Sequence, residues 1–109
     1  MASFEAAVQQ WHEGERRLQQ APPHEVPAME RVTERILAEL RRRLGSAFVI
    51  DELVDLYNDG TSWCLDVAFR TAPDAPWAWD ARTVADAAFA RYLREATDYA
   101  GGRRLEARP

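Results

Sequence analysis

The segment Thr61-Ser-Trp-Cys-Leu-Asp-Val-Ala-Phe-Arg-Thr-Ala-Pro73 is the most apolar stretch of the chain. Between Trp63 and Phe69, only Asp66 is polar. A helix that is hydrophobic on nearly every side has to be buried among other helices. The sequence therefore predicts a central helix here, capped by Thr61 or Ser62, with the other helices packed around it. Asp66 and Arg70 are four residues apart on its polar side, and we expect them to pair.

Two longer helices are predicted before this segment. Apolar residues recur at helical spacing through 3–21, with Ser3 as the cap, although Gly14 is expected to weaken the second half of that helix. The clearest helix begins at Pro27, whose missing N–H costs nothing in the first turn. It ends at Gly45, a residue that accepts the left-handed conformation common after helix ends.

Two more helices complete the pattern. The spacing of Ile50, Leu53, Val54 and Tyr57 predicts a short helix, although residues 48–50 could begin as an extended piece. The last helix is predicted over 80–100, ending at Gly101-Gly102, and the capping-box pattern Thr83-Val-Ala-Asp86 leaves a start at Val84 open. Its apolar face is lined with alanines, which allow helices to approach closely and make self-association through this face an option.

These elements predict an all-α fold, a single-domain bundle of four or five helices with short loops. The chain has 109 residues, which is enough for one hydrophobic core. We expect residues 1–26 to form an N-terminal helix and linker, residues 27–102 to form the core bundle, and residues 103–109 to be a flexible charged tail.

Charge and composition narrow the classes of function. The net charge is −4, which argues against a general affinity for nucleic acid or anionic membrane. No segment approaches the roughly 20 apolar residues of a membrane helix, so a cytoplasmic protein that does not contact the membrane is expected. All 14 basic residues are arginine, a bias typical of a bacterium with a GC-rich genome.

The segment from Asp55 to Asp66 resembles a calcium-binding loop in part. It has oxygen-bearing residues at several ligand positions and Gly60 at the position of the turn glycine. However, Tyr57 and Trp63 occupy two of the ligand positions. The pattern therefore favours a helix end followed by a helix cap, and no metal or cofactor is expected.

Cys64, the one cysteine, is the candidate nucleophile, with His12 or His24 as its base. It lies between Trp63 and Leu65, where a thiol usually serves as a small core hydrophobe, and both histidines are in polar surroundings. A further group of carboxylates could do acid–base chemistry if it were buried. A solvated acidic face that meets an arginine-rich partner is the simpler interpretation for this group, which consists of Asp51, Glu52, Asp55 and Asp59.

The sequence thus favours a non-enzymatic helical interaction module: an adaptor, regulator or subunit of a larger assembly with a protein partner. The candidate interaction residues are Trp77 and Trp79, in a proline-rich turn, and Arg41, Arg42 and Arg43, at the end of the second helix. Two alternatives stay open. One is a nucleic-acid-associated regulator that uses the same arginines, and the other is a small enzyme or ligand-binding domain with a pocket near Cys64. A homo-oligomer is also possible.

Overall fold

The computed structural model describes residues 3–45, 50–74 and 81–107. They form five helices in a bundle, and the described ranges contain no strand, which confirms the predicted all-α fold. None of the helices in these ranges is both long and apolar enough to cross a bilayer. The helices are α1 (Phe4–Gln19), α2 (Val26–Leu44), α3 (Ile50–Asp59), α4 (Ser62–Thr71) and α5 (Ala81–Ala107).

The central helix of the bundle is α5, and the prediction that α4 occupies the centre is wrong. Eight consecutive residues of α5, from Thr83 to Ala90, are buried. Both α1 and α2 pack extensively against this helix. In α4, by contrast, only Cys64 and Ala68 are buried, and Leu65 is 43% exposed.

The size of the side chains explains this arrangement. Four of the eight consecutive buried residues from Thr83 to Ala90 are alanines, so neighbouring helices can pack closely on several sides of α5. The side chains of Trp63, Val67 and Phe69 are much larger, and each is only partly buried. Because α4 has just ten residues, it lies at the edge of the bundle against α2 and α5, and its outer side remains in water.

Gly14 is the point of closest approach between α1 and α5. A Cβ atom on Gly14 would lie 2.4 Å from the Cβ of Asp86 and 3.1 Å from the carbonyl oxygen of Thr83. Such distances leave no room for any side chain at this position. The predicted weakening of the helix at Gly14 is not observed, because α1 continues to Gln19 and uses the glycine for packing.

Some of the helix ends agree with the sequence-based prediction. The hydroxyl of Ser3 accepts a hydrogen bond from the Ala6 N–H at 3.2 Å, and Gly45 ends α2 with φ of 71°, both as predicted. Thr61 precedes α4 but makes no side-chain capping bond.

Other boundaries differ from the prediction. Because α5 is helical from Ala81, Thr83 lies inside the helix and the alternative start at Val84 is wrong. The helix also extends past Gly101-Gly102 to Ala107, since glycine weakens a helix by only about 1 kcal/mol and does not break its hydrogen bonds. Phe48 and Val49, where an extended piece was considered, lie outside the described residues.

Ion pairs connect the middle of α5 to α1 and α2. Arg91, whose side chain is 20% exposed, donates hydrogen bonds to Glu30 and Glu34 at 2.9 Å each. Arg94 pairs with Glu15 of α1. These contacts fix the positions of three helices relative to one another.

The alanine face of α5 is used within the chain. Ala85, Ala88 and Ala96 are all at most 2% exposed. This face is therefore not available for the self-association considered from the sequence.

Candidate functional site

The arginine run at the end of α2 is paired with carboxylates of the same chain. Arg41 binds Glu95 of α5 with two nitrogens, one of them at 3.1 Å. Arg42 and Arg43 both bind Glu39, each with an Nε–oxygen distance of 3.0 Å. Hydrogen bonds from Arg42, and then from Arg43, lower the pKa of Glu39 to about 2.

Arg43 has a second contact that joins α2 to α4. Its Cζ atom lies 4.4 Å from the centre of the Trp63 ring. A guanidinium over an indole ring is a favourable cation–π interaction. Arg43 thus holds α4 against the bundle in addition to its ion pair with Glu39.

A groove between α2 and α4 collects arginines from both helices. It has a volume of about 540 Å³, with Arg35 and Arg42 on α2 facing Arg70 on α4. Ala38 and Val67 contribute apolar surface between them. We call this surface the arginine groove, and it is lined by Arg35, Ala38, Glu39, Arg42, Val67, Arg70 and Thr71.

Two of these arginines have no carboxylate partner among the described residues. Arg35 makes no ion pair within this part of the chain. Arg70 donates from Nε to the backbone carbonyl of Asp66 at 3.4 Å and not to its carboxylate, so the predicted side-chain pair is absent. Arg35 precedes the arginine run on the same helix. For Arg70 the sequence predicted only a pair with Asp66, because residue spacing does not show which side chains of two helices come close together.

The groove continues toward the start of α2. An adjoining cavity of about 420 Å³ shares Arg35 and Thr71 with it and has a mostly apolar wall. Two acidic residues there, Glu30 and Glu34, are both bound by Arg91. Because these carboxylates and Glu39 are already paired, the groove presents positive charge from Arg35 and Arg70.

A polar cluster joins α1, α3 and α5 on another side of the bundle. The Tyr57 hydroxyl is 2.8 Å from Oε1 of Gln10 and 3.0 Å from Oδ1 of the buried Asp86. Arg82 donates from Nη2 to the same oxygen of Gln10 at 2.8 Å, and its Nε lies 3.8 Å from Asp86. The Asp86 carboxylate is therefore stabilised by partners from two helices, although the sequence suggested a helix cap for it.

The ring of Tyr57 packs against two aromatic residues of the core. The ring of Tyr57 meets Trp11 edge-on at 5.5 Å and Phe89 at 5.1 Å. Burial raises the pKa of Tyr57, with a smaller opposing effect from the Arg82 hydrogen bond. A phenol that keeps its proton can bind and orient neighbours but is a poor base, so the arrangement suits a structural connection between helices.

Cys64 is positioned as a core residue. It is 2% exposed, and burial is the main cause that raises its pKa to about 12. The thiolate is the reactive form of cysteine, so this environment suppresses nucleophilic chemistry. Cys64 does contribute to the wall of a groove of about 520 Å³ beside the polar cluster, but neither His12 nor His24 lines that groove.

The calcium-loop interpretation fails on geometry. Asp55 lies within α3 and Asp66 within α4, and only Gly60 and Thr61 separate the two helices. Among the described residues, no group of three or more histidine, cysteine, aspartate or glutamate side chains could hold a metal ion. The solvated acidic face is observed instead, since its four residues are all exposed. We call it the acidic face of α3, and it consists of Asp51, Glu52, Asp55 and Asp59.

The predicted tryptophan site lies outside the described residues. Trp77 and Trp79 fall within 75–80, between α4 and α5. Their contribution to an interface stays a prediction.

Comparison with protein-family models, with curated proteins and with solved structures finds no match to this chain.

Proposed function

We propose that this chain is a non-enzymatic helical interaction module that binds a protein partner through the arginine groove. Such a module serves as an adaptor, a regulator or a subunit of a larger assembly, and composition favours the bacterial cytoplasm. The supporting observation is that Arg35 and Arg70, on two different helices, line one groove without a carboxylate partner in the described part of the chain.

The chemistry of the groove defines the partner's surface. A guanidinium group binds a carboxylate through two parallel hydrogen bonds, a geometry that lysine cannot reproduce. Ala38 and Val67 lie between the arginines, and the aliphatic stems of the arginines extend this apolar surface. A protein partner that combines carboxylates with apolar contacts would exclude water here, which strengthens the ion pairs.

The proposal is tested by partner capture with two double variants. Arg35→Glu with Arg70→Glu reverses the charge of the groove. Arg16→Glu with Arg17→Glu makes the same change of net charge on the exposed side of α1 and serves as the control. We expect proteins from the source organism to be retained by the wild type and the control but lost from the groove variant. Equal retention by all three proteins, with helicity intact, would contradict the proposal.

Nucleic acid is the competing occupant of the same arginines. Phosphate binding predicts an affinity that falls steeply with salt, in proportion to the number of phosphate contacts. A fluorescent duplex or single-stranded oligonucleotide titrated at several salt concentrations measures this directly. If oligonucleotide binding requires Arg35 and Arg70 and weakens in this way with salt, the ligand of the groove is a nucleic acid and not a protein.

The enzyme alternative is tested at Cys64. Because the thiol is buried and its pKa is raised, we expect native protein to be alkylated at least ~100-fold more slowly than unfolded protein. Thiol consumption under native and denaturing conditions gives this ratio. Comparable rates would indicate a reactive cysteine and favour a catalytic or ligand-binding pocket.

A further inference from the structure

The arginine groove and the acidic face of α3 carry opposite charges. Arg35 on α2 and Arg70 on α4 line the groove and supply its positive charge. Asp51, Asp55 and Asp59 follow one another at intervals of four residues, so they lie on one side of α3. The acidic face therefore offers a row of carboxylates to a surface that presents guanidinium groups.

The two surfaces do not neutralise each other inside one chain. The four carboxylates of the acidic face make no ion pair with any described arginine, although all four are exposed. Arg35 and Arg70 likewise have no carboxylate partner within the described ranges. Contact between these surfaces therefore requires two molecules.

We propose that the occupant of the arginine groove is a second copy of this chain, docked through the acidic face of its α3. This inference rests on the proposed function and names the partner. Aspartates predominate on the acidic face, and their short side chains allow the helix backbone to approach the groove. Arg35 and Arg70 then bind carboxylates from the two sides, with the groove's small apolar surface between them.

The symmetry of this contact has a consequence. The groove and the acidic face are different surfaces, so each molecule offers one of each to its neighbours. The contact is head-to-tail, and it extends to rings or linear chains of molecules rather than stopping at a symmetric dimer. A helix of ten residues is about 15 Å long and covers a small area, so the association is weak, concentration-dependent and sensitive to salt.

Two charge-reversal variants test the proposal. The groove variant is Arg35→Glu with Arg70→Glu, and the face variant is Asp55→Arg with Asp59→Arg. The face variant is expected to preserve the fold, because both positions are exposed and Asp59 lies in the last turn of α3, where the helix dipole favours positive charge. Circular dichroism and thermal unfolding confirm that each variant is folded before association is measured.

Sedimentation velocity over a range of concentrations, at low and at high salt, is the measurement. The wild type and the Arg16→Glu, Arg17→Glu control are expected to increase in mass with concentration, and less so at high salt. Each variant alone is expected to associate ~tenfold more weakly or not at all, since attraction is replaced by repulsion. In an equimolar mixture, the intact acidic face of the groove variant meets the intact groove of the face variant, and the two reversed surfaces also carry opposite charges. The mixture is therefore expected to regain the association that each variant alone lacks.

Three results would overturn the inference: a wild type that stays monomeric, association that both variants retain, or a mixture that does not regain association. If the wild type is monomeric but captures another protein, and this capture requires Arg35 and Arg70, the inference is wrong and the proposed function still stands. If neither self-association nor capture depends on the groove, the proposed function itself fails.

Discussion

The burial of segments 63–69 and 83–90 is the opposite of what their hydrophobicity suggests. The first contains tryptophan, leucine, valine and phenylalanine, yet it lies in α4 at the edge of the bundle with Leu65 43% exposed. The second contains four alanines, a threonine and an aspartate beside Val84 and Phe89, yet all eight residues are buried in α5. The difference teaches that the central position goes to the helix whose small residues let several neighbours approach closely, with a large side chain such as Phe89 filling the core between them.

The largest expected loss of stability comes from truncating a phenylalanine of α5, and the same change in α4 is the comparison. Phe89 of α5 is fully buried and packs against Trp11 and Tyr57, whereas Phe69 of α4 is only partly buried. We expect Phe89→Ala to lower the free energy of unfolding by about 3–5 kcal/mol and Phe69→Ala by about half of that or less. Urea unfolding followed by circular dichroism measures both. Equal losses would mean that α4 and α5 contribute equally to the core.

The next test concerns the close approach of α1 to α5. Gly14→Ala places a Cβ atom 2.4 Å from the Cβ of Asp86, so the two helices have to move apart. We expect a loss of about 1–3 kcal/mol from overpacking, against a gain of about 1 kcal/mol in helix propensity. Gln9→Ala, at an exposed position of the same helix, is the control and should leave stability nearly unchanged. A stabilising Gly14→Ala would show that the helices are less tightly packed than described.

A smaller effect is expected for the ion pairs that α5 makes with α1 and α2. Arg91→Met removes the cation that binds Glu30 and Glu34. Because those glutamates are well exposed, we expect a loss of only about 1 kcal/mol, and Arg94→Met at a more exposed site should cost about 0.5 kcal/mol or less. Thermal unfolding at low and high salt measures both. A loss near that of Phe89→Ala would show that ion pairs, and not the alanine contacts, hold α5 in place.

The sequence was sufficient for the helices but not for their arrangement. Periodicity predicted α2 well, and Ser3 and Gly45 marked helix ends through local hydrogen bonding and backbone conformation. Gly14 was misinterpreted as a weak point, because its role depends on the close approach of Asp86, more than 70 positions away. Asp86 was misinterpreted as a cap, because its partner Tyr57 lies on another helix. Arg70 was missed for the same reason, since the groove exists only after α2 and α4 have packed.

The smallest expected effect is a pH dependence at the junction of α2 and α4. The folded-state pKa of Glu39 is lowered from 4.5 to about 2 by Arg42 and Arg43, so its contribution to stability is complete above about pH 4.5 and is lost as the pH falls toward 2. Solvent screens these arginines, and we therefore expect Glu39→Gln to cost less than about 1 kcal/mol at pH 7. The difference between variant and wild type should disappear near pH 2, and urea unfolding at several pH values measures it. Since Glu39 also holds the Arg43 guanidinium that lies over Trp63, acid should loosen α4 before it affects α5. If the difference stays constant with pH, the ion pair does not contribute to holding α4 on the bundle.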